Sequence, residues 1–279
     1  MNSFCDPMID LNDIAVTYGA EDQTKSALLS IRLSIESGEW IAIVGSNGCG
    51  KSTLAKVIAG LIRPSSGHMI CHAESSPAVQ LVFQNPETQI VRETVYEDIC
   101  FGLENFGIPQ ERIELRAMDA LRRVGLDGRK YDRTATLSGG QKQLLNIAGC
   151  LALNPSVYVF DESTSMLDPL SRQSVLHVVR ELHRQGRTIV WITQLLDELA
   201  WCDRVIGMEE GTIVFDGSKQ SFFYGDEASW DRSAPNPCDR LGFVPPFTVQ
   251  TARVLLASGY ALRPLPVSPD ELSKAVGAL

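Results

Sequence analysis

The apolar positions of this chain follow two rhythms. Short unbroken runs rich in β-branched and aromatic residues stand at 40–44 (Trp40, Ile41, Ala42, Ile43, Val44), at 157–160 (Val157, Tyr158, Val159, Phe160) and at 188–193, with a similar run at 79–83. Runs of this length bounded by turn residues predict strands buried on both faces, as in a parallel sheet covered by helices. Between them, 110–124 places Ile113, Ala117, Ala120, Leu121 and Val124 on one helical face, and 144–153 continues in helical style, which predicts a helical insertion. A helix is also predicted over 52–60, directly after the first strand and a Gly-rich turn. Toward the start, 9–12 and 28–35 alternate like half-buried strands, and 211–217 reads as a strand between turns; together they predict a small antiparallel sheet beside the core. After about residue 222 the tone changes: 229–237 is polar with prolines, and a shorter apolar segment follows at 248–262, so a separate small appendage is expected there.

Composition narrows the function classes. The chain has 279 residues, 44% hydrophobic and 21% charged, enough apolar material for a buried core and too much for disorder. Lys and Arg total 25 against 34 Asp and Glu, a net charge of -9 that is the wrong sign for neutralising phosphate backbones, so nucleic acid is not an expected partner. No run approaches the roughly 18 apolar residues of a membrane-spanning helix, so any link to a bilayer is expected to go through a partner. The start of the chain has neither a basic nor an apolar stretch, and a secretory signal is not expected. Seven scattered cysteines (Cys5, Cys49, Cys71, Cys100, Cys150, Cys202, Cys238) fit free thiols in a reducing cytosol.

Chemistry concentrates at three places. Gly45-Ser46-Asn47-Gly48-Cys49-Gly50-Lys51-Ser52, between a strand and a helix and followed by Thr53, fits the G-x-x-x-x-G-K-[ST] phosphate loop. Its glycines let successive N–H groups turn around phosphate oxygens at the positive end of the helix. Lys51 is expected to reach the β- and γ-phosphates and the Ser52 hydroxyl to ligate Mg²⁺, so ATP and Mg²⁺ are the expected cofactors. Cys49, near a helix amino terminus, is a candidate for a lowered thiol pKa. The strand 157–160 delivers Asp161 and Glu162 to its carboxyl end, where Asp161 suits Mg²⁺ and Glu162 suits polarising an attacking water. Upstream, Ser138-Gly139-Gly140-Gln141 at a helix start forms a second anion site. One γ-phosphate does not need two cradles in one chain, so a head-to-tail second protomer is expected to share each site.

Taken together, these motifs resemble the ATP-binding cassette (ABC) family over about 9–217. Gln84 matches that family's Q-loop, Ser165-Met166-Leu167-Asp168 its D-loop, and Tyr18 the aromatic residue that stacks on adenine. The resemblance implies a P-loop NTPase core with a parallel sheet, a flanking antiparallel β-subdomain and a helical signature subdomain at about 90–153, together spanning 1–220. It further implies an appendage at 221–279 used in dimerisation, and Gln84 beside Ser52 and Asp161 at the metal. Val82-Phe83-Gln84-Asn85-Pro86-Glu87-Thr88-Gln89, the segment from Val95 to Asn105, the Gln-Lys-Gln at 141–143 and Thr164 to Pro169 are similar to the ATPase subunits of energy-coupling-factor importers of vitamins and metal ions.

For such a subunit the resemblance implies a peripheral protein on the cytoplasmic face of the cell membrane. It would pair with a second ABC ATPase, a paralogue in preference to a second copy, on a membrane scaffold protein with a small substrate-binding membrane protein. A conventional ABC importer ATPase and a soluble ABC protein without a permease are the alternatives. The pattern breaks once: where the family places a histidine against the γ-phosphate, this chain has Gln194. Glutamine can donate and accept hydrogen bonds there but cannot become a cation.

Overall fold

The computed structural model describes residues 7–19, 24–73, 75–225 and 235–278; Cys5 and most of the polar stretch 229–237 lie outside them. Two sheets organise the fold. Strands β1 (Ile9–Tyr18), β2 (Lys25–Ile35) and β4 (Ser66–Cys71) form a three-stranded antiparallel sheet in the order β2-β1-β4. The larger sheet has the order β5-β6-β7-β3-β8-β9, built from β5 (Val79–Val82), β6 (Val157–Asp161), β7 (Thr188–Ile192), β3 (Trp40–Gly45), β8 (Arg204–Glu209) and β9 (Thr212–Ser218). Its first five strands are parallel and β9 closes one edge antiparallel to β8. The strand expected over 211–217 is therefore real, but it belongs to the main sheet rather than to the small one. A tight turn after β8 returns the chain as a hairpin, and that connection is too short to reach another layer.

Both faces of the central strands are buried, which explains why they read as continuous apolar runs. On β3, Trp40, Ala42 and Val44 point into one apolar cluster while Ile41 and Ile43 point into another. The second cluster is closed by helix α1 (Lys51–Ile58) and the antiparallel sheet. The first is closed by α2 (Val95–Asn105), α3 (Gln110–Arg123), α4 (Gly139–Leu153) and α5 (Pro169–Arg184). Period-2 alternation thus persists in the packing even where both faces are hydrophobic.

Helices α2, α4 and α5 begin where the sequence supplies a side-chain cap. Thr94 caps α2 in a reciprocal box with Glu97, Ser138 caps α4 in the same way with Gln141, and Asp168 caps α5 ahead of Pro169. Helix α4 starts five residues before the apolar stretch that predicted it, because Gly139 and Gly140 carry no periodicity signal. Helices α6 (Lys219–Tyr224), α7 (Pro237–Arg240), α8 (Phe247–Ala257) and α9 (Pro269–Gly277) follow β9. Phe222, Cys238, Val249 and Ala275 in these helices, with Leu262 between α8 and α9, continue the first apolar cluster, and Arg253 pairs with Asp239 at 3.0 Å.

Candidate functional site

Four adjacent parallel strands end at one place. In the order β5-β6-β7-β3 they deliver Gln84, Glu162 with Asp161 behind it, Gln194, and the loop from Gly45 to Ser52 to one cleft of about 590 Å³. Ligands of open α/β sheets sit at such carboxyl ends.

The loop folds as its glycines require. Gly50 has φ +109°, and a Cβ there would lie 2.5 Å from the carbonyl oxygen of Ala27 and 2.9 Å from the Leu28 side chain, so a larger residue is excluded twice over. No side chain caps α1, which leaves its first-turn N–H groups free to face an anion. Lys51 is 4% exposed and curls over the loop, its Nζ donating to the carbonyls of Gly45 at 2.8 Å and Ser46 at 3.0 Å. Asn47, Gly48, Gly50, Lys51, Ser52 and Thr53 line the cleft. Gly45 and Ser46 serve it through the carbonyls that hold Lys51.

Cys49 does not line the cleft. It is buried, and burial pushes its thiol above the ordinary range despite the opposing pull of Lys51. The expected lowering is therefore corrected: loss of solvation outweighs the helix terminus and the ammonium.

Next to the loop, Ser52 Oγ donates to Asp161 Oδ1 at 3.1 Å. Burial raises the Asp161 carboxyl above its usual range, the Ser52 hydrogen bond opposes this, and neighbouring Glu162 adds to it. A hydroxyl, a carboxylate and the nearby Gln84 amide form an all-oxygen donor set, which suits a hard divalent cation. A cation there would also relieve the unfavourable burial of the Asp161 charge.

Glu162 is held from both sides. Gln84 Nε2 donates to its Oε2 at 3.0 Å and Gln194 Nε2 donates to its Oε1 at 2.7 Å. The same Gln194 nitrogen donates to Asn47 Oδ1 at 2.6 Å, and Lys51 Nζ stands 3.8 Å from Glu162 Oε1. A carboxylate fixed in this way is a preorganised proton acceptor. Across the cleft, Tyr18 at the end of β1 is 43% exposed, with its hydroxyl 3.3 Å from Thr53 Oγ1. Its ring is therefore open to a flat ligand group.

The remaining predicted residues lie elsewhere. Ser138, Gly139, Gly140, Gln141 and Asp168 are not among the cleft residues. Ser138 Oγ accepts from Gln141 N at 3.3 Å, and Gln141 Oε1 accepts from Ser138 N at 3.0 Å and from Arg129 at 2.6 Å. Asp168 accepts from the backbone of Leu170 and Ser171, and the Ser171 hydroxyl in particular holds its carboxyl below the usual range. These residues occupy their own patch around the starts of α4 and α5.

The ABC transporter family pattern matches residues 28–165. Over 272 residues the chain is 38% identical to an energy-coupling factor transporter ATP-binding protein EcfA1 of Halalkalibacterium halodurans, covering 94% of this chain and 95% of that one. The chain belongs to the energy-coupling factor transporter ATP-binding proteins. It is an ABC ATPase whose hydrolysis is coupled to transport. A second member of the family, EcfA of Methanosarcina acetivorans, is 40% identical over 257 residues, 88% of this chain and 90% of that one.

Among solved structures, CbiO1 of Clostridium perfringens, described as part of the ABC transporter complex CbiONQ, superposes with a TM-score of 0.69 at 33% identity, covering 78% of this chain and 91% of that one. The cassette MJ0796, solved as a dimer in a post-hydrolysis state with ADP and Pi, gives 0.68 at 25% identity over 76% and 98%.

Two features of this energy-coupling factor ATPase escaped the sequence. One is the bond from Gln194 to Asn47, which no spacing could signal. The other is Glu198, 3% exposed in the 3₁₀ turn Leu196–Trp201, which accepts hydrogen bonds from Thr164, Trp191 and Thr193. A lone glutamate among leucines offers no pattern to read.

Proposed function

We propose that this chain is the ATP-hydrolysing motor subunit of an importer for a vitamin or a transition-metal ion, and that its cleft binds ATP with Mg²⁺. The observation that carries the reading is the Glu162 carboxylate, clamped by Gln84 and Gln194 beside Lys51 at the mouth of a phosphate loop. Tyr18 would stack on the base, the loop N–H groups and Lys51 would hold the β- and γ-phosphates, and Ser52, Asp161 and Gln84 would hold Mg²⁺. When bound, the ion supplies charge neutralisation at the phosphates.

Glu162 then accepts the proton of a water whose oxygen attacks the γ-phosphorus, the bond to the β-bridging oxygen breaks, and ADP and phosphate result. Gln194, in the place of the family's histidine, fixes Glu162, its amide N–H groups being committed to Glu162 and Asn47.

Ser138, Gly139, Gly140 and Gln141 would close on the γ-phosphate of a second cassette, with Asp168 at the same interface, so each site is shared between two protomers. A paralogous ATPase is the favoured partner. Among the described residues no helix is long and apolar enough to cross a membrane. We propose that a scaffold protein docks the pair on the cytoplasmic face and that a small membrane protein captures the cargo, with segment 221–279 serving in pairing.

The test is Mg²⁺-dependent ATP hydrolysis by the purified complex. Lys51→Ala should abolish ATP binding, whereas Glu162→Gln should keep binding and lose turnover; wild-type turnover in Glu162→Gln would reject the assignment.

A further inference from the structure

The two loops that carry Glu162 and Gln194 share a buried anchor. Glu198 Oε1 accepts from Thr164 Oγ1 at 2.6 Å, and its Oε2 accepts from Thr193 Oγ1 at 2.6 Å and Trp191 Nε1 at 2.9 Å. Thr164, Thr193 and Glu198 are all 3% exposed or less, so these bonds are not traded with water. The Thr193 hydroxyl also accepts from the backbone N–H of Leu195 at 2.9 Å, which commits its own proton to Glu198. Glu198 N in turn donates to the Leu195 carbonyl at 3.0 Å. The residues on both sides of Gln194 are thereby fixed by one carboxylate. Through Thr164 that carboxylate also holds the turn after Glu162, in which Ser165 N donates to the Glu162 carbonyl at 3.1 Å.

We propose that Glu198 is the positioning residue of the hydrolytic site: it sets the Gln194 amide 2.7 Å from the Glu162 carboxylate by locking the 193–195 backbone to the 162–165 turn. The inference rests on the assignment of Glu162 and Gln194 to hydrolysis. No cation pairs with Glu198 among the ion pairs of the described residues. Its ligands are all neutral donors, so the group is tuned for geometry rather than for charge pairing. A glutamine can keep all three links, because its oxygen replaces Oε2 and its amide donates to the Thr164 hydroxyl. An alanine keeps none.

Steady-state ATPase of the full chain with its native partners tests this. Glu198→Ala should lower kcat about 10- to 100-fold with KM for ATP within about twofold, since misplacing one group by an ångström has an effect of that order. Glu198→Gln should restore kcat to within about threefold of wild type. Thr193→Val, which removes the hydroxyl relay at nearly constant volume, should lower kcat in the same sense and stands in should Glu198→Ala fail to fold.

The deciding comparison is a double-mutant cycle. In a Gln194→Ala background, Glu198→Ala should lower kcat several-fold less than it does in the wild-type background, because one of the two groups it positions is gone. Repetition of the full loss in that background, or a Glu198→Gln variant as slow as Glu198→Ala, would overturn the proposal. Glu162→Gln run alongside separates the two claims. If it keeps wild-type turnover, the hydrolytic assignment falls and takes this proposal with it. If it is inactive while the cycle is additive, only the positioning role falls.

Discussion

Glu162 has φ +47°, a left-handed backbone conformation that few residues other than glycine adopt. The strand hydrogen bond from Glu162 N to Ile192 O at 3.0 Å and the turn closed by Ser165 hold it there. Strain of this kind persists where the surroundings over-determine a residue, and here it turns the carboxylate out of the sheet into the cleft. Removing only the charge, with Glu162→Gln, should lower turnover by roughly 10²–10⁴-fold, the usual contribution of a general base, while ATP binding survives. Single-turnover hydrolysis and nucleotide titration read the two separately.

Gln194 makes a second prediction. It has no proton to gain, so position 194 contributes no limb to the pH–rate profile. Gln194→His should change turnover by less than about tenfold and should add a limb near a histidine pKa of about 6.5. A rise far beyond tenfold would mean that the glutamine is a poor substitute.

Asp161 makes a third. Its folded pKa is raised by burial, so the carboxyl favours folding only while protonated, and that contribution is lost as pH rises through the raised value. At neutral pH the charge is a net cost without a cation. Asp161→Asn should therefore raise the thermal midpoint of the metal- and nucleotide-free chain at neutral pH, with the difference shrinking in acid. A lower midpoint for the variant at neutral pH would contradict it. Lys51, Ser52, Asp161 and Glu162 were legible as a motif because their chemistry depends on order along the chain. The direction of the Cys49 shift was not legible, because burial, which sequence does not display, raises its pKa.

At the scale of elements, the starts of α4 and α5 interlock. A Cβ on Gly140 would lie 2.2 Å from Ser171 Oγ and 2.6 Å from Ser171 Cβ. Glycine at this place is thus a requirement of helix–helix approach. Helix α4 also grips the segment around Gln84: Gln143 donates to the Phe83 carbonyl at 3.2 Å, Asn146 to that of Pro86 at 3.0 Å, and Lys142 pairs with Glu87 at 2.6 Å. These bonds tie the start of α4 to the segment around Gln84.

Gly140→Ala should leave ATP binding by the separate chain unchanged, because the cleft does not include Gly140. It should lower turnover of the assembled ATPase by about tenfold or more, and Ser171→Gly should restore part of the loss. Absence of any rescue would place the defect elsewhere. Sequence periodicity found the apolar length of α4, and its start at Gly139 was legible from the Ser138-Gly139-Gly140 motif instead. Periodicity left β8 and β4 unassigned: β8 is interrupted by Gly207 and bounded by charges, and β4 is a polar strand with little buried surface.

At the scale of the whole molecule, the strand order decides where chemistry can occur. Four neighbouring carboxyl ends converge on one cleft, while the signature residues stand on a different patch around α4 and α5. The parallel sheet and its helices were legible because buried strands leave continuous apolar runs. The membership of β9 was not, since a half-exposed edge strand has the same alternation in either sheet. Should the two patches meet across a protomer interface, as proposed, hydrolysis depends on assembly.

The measurement that addresses this most directly is purification of a tagged copy from its native membranes in mild detergent, with identification of every protein that co-elutes. Co-elution of a second cassette ATPase, one scaffold protein and several small membrane proteins is expected. A chain recovered alone, or with a single dedicated permease, would contradict it.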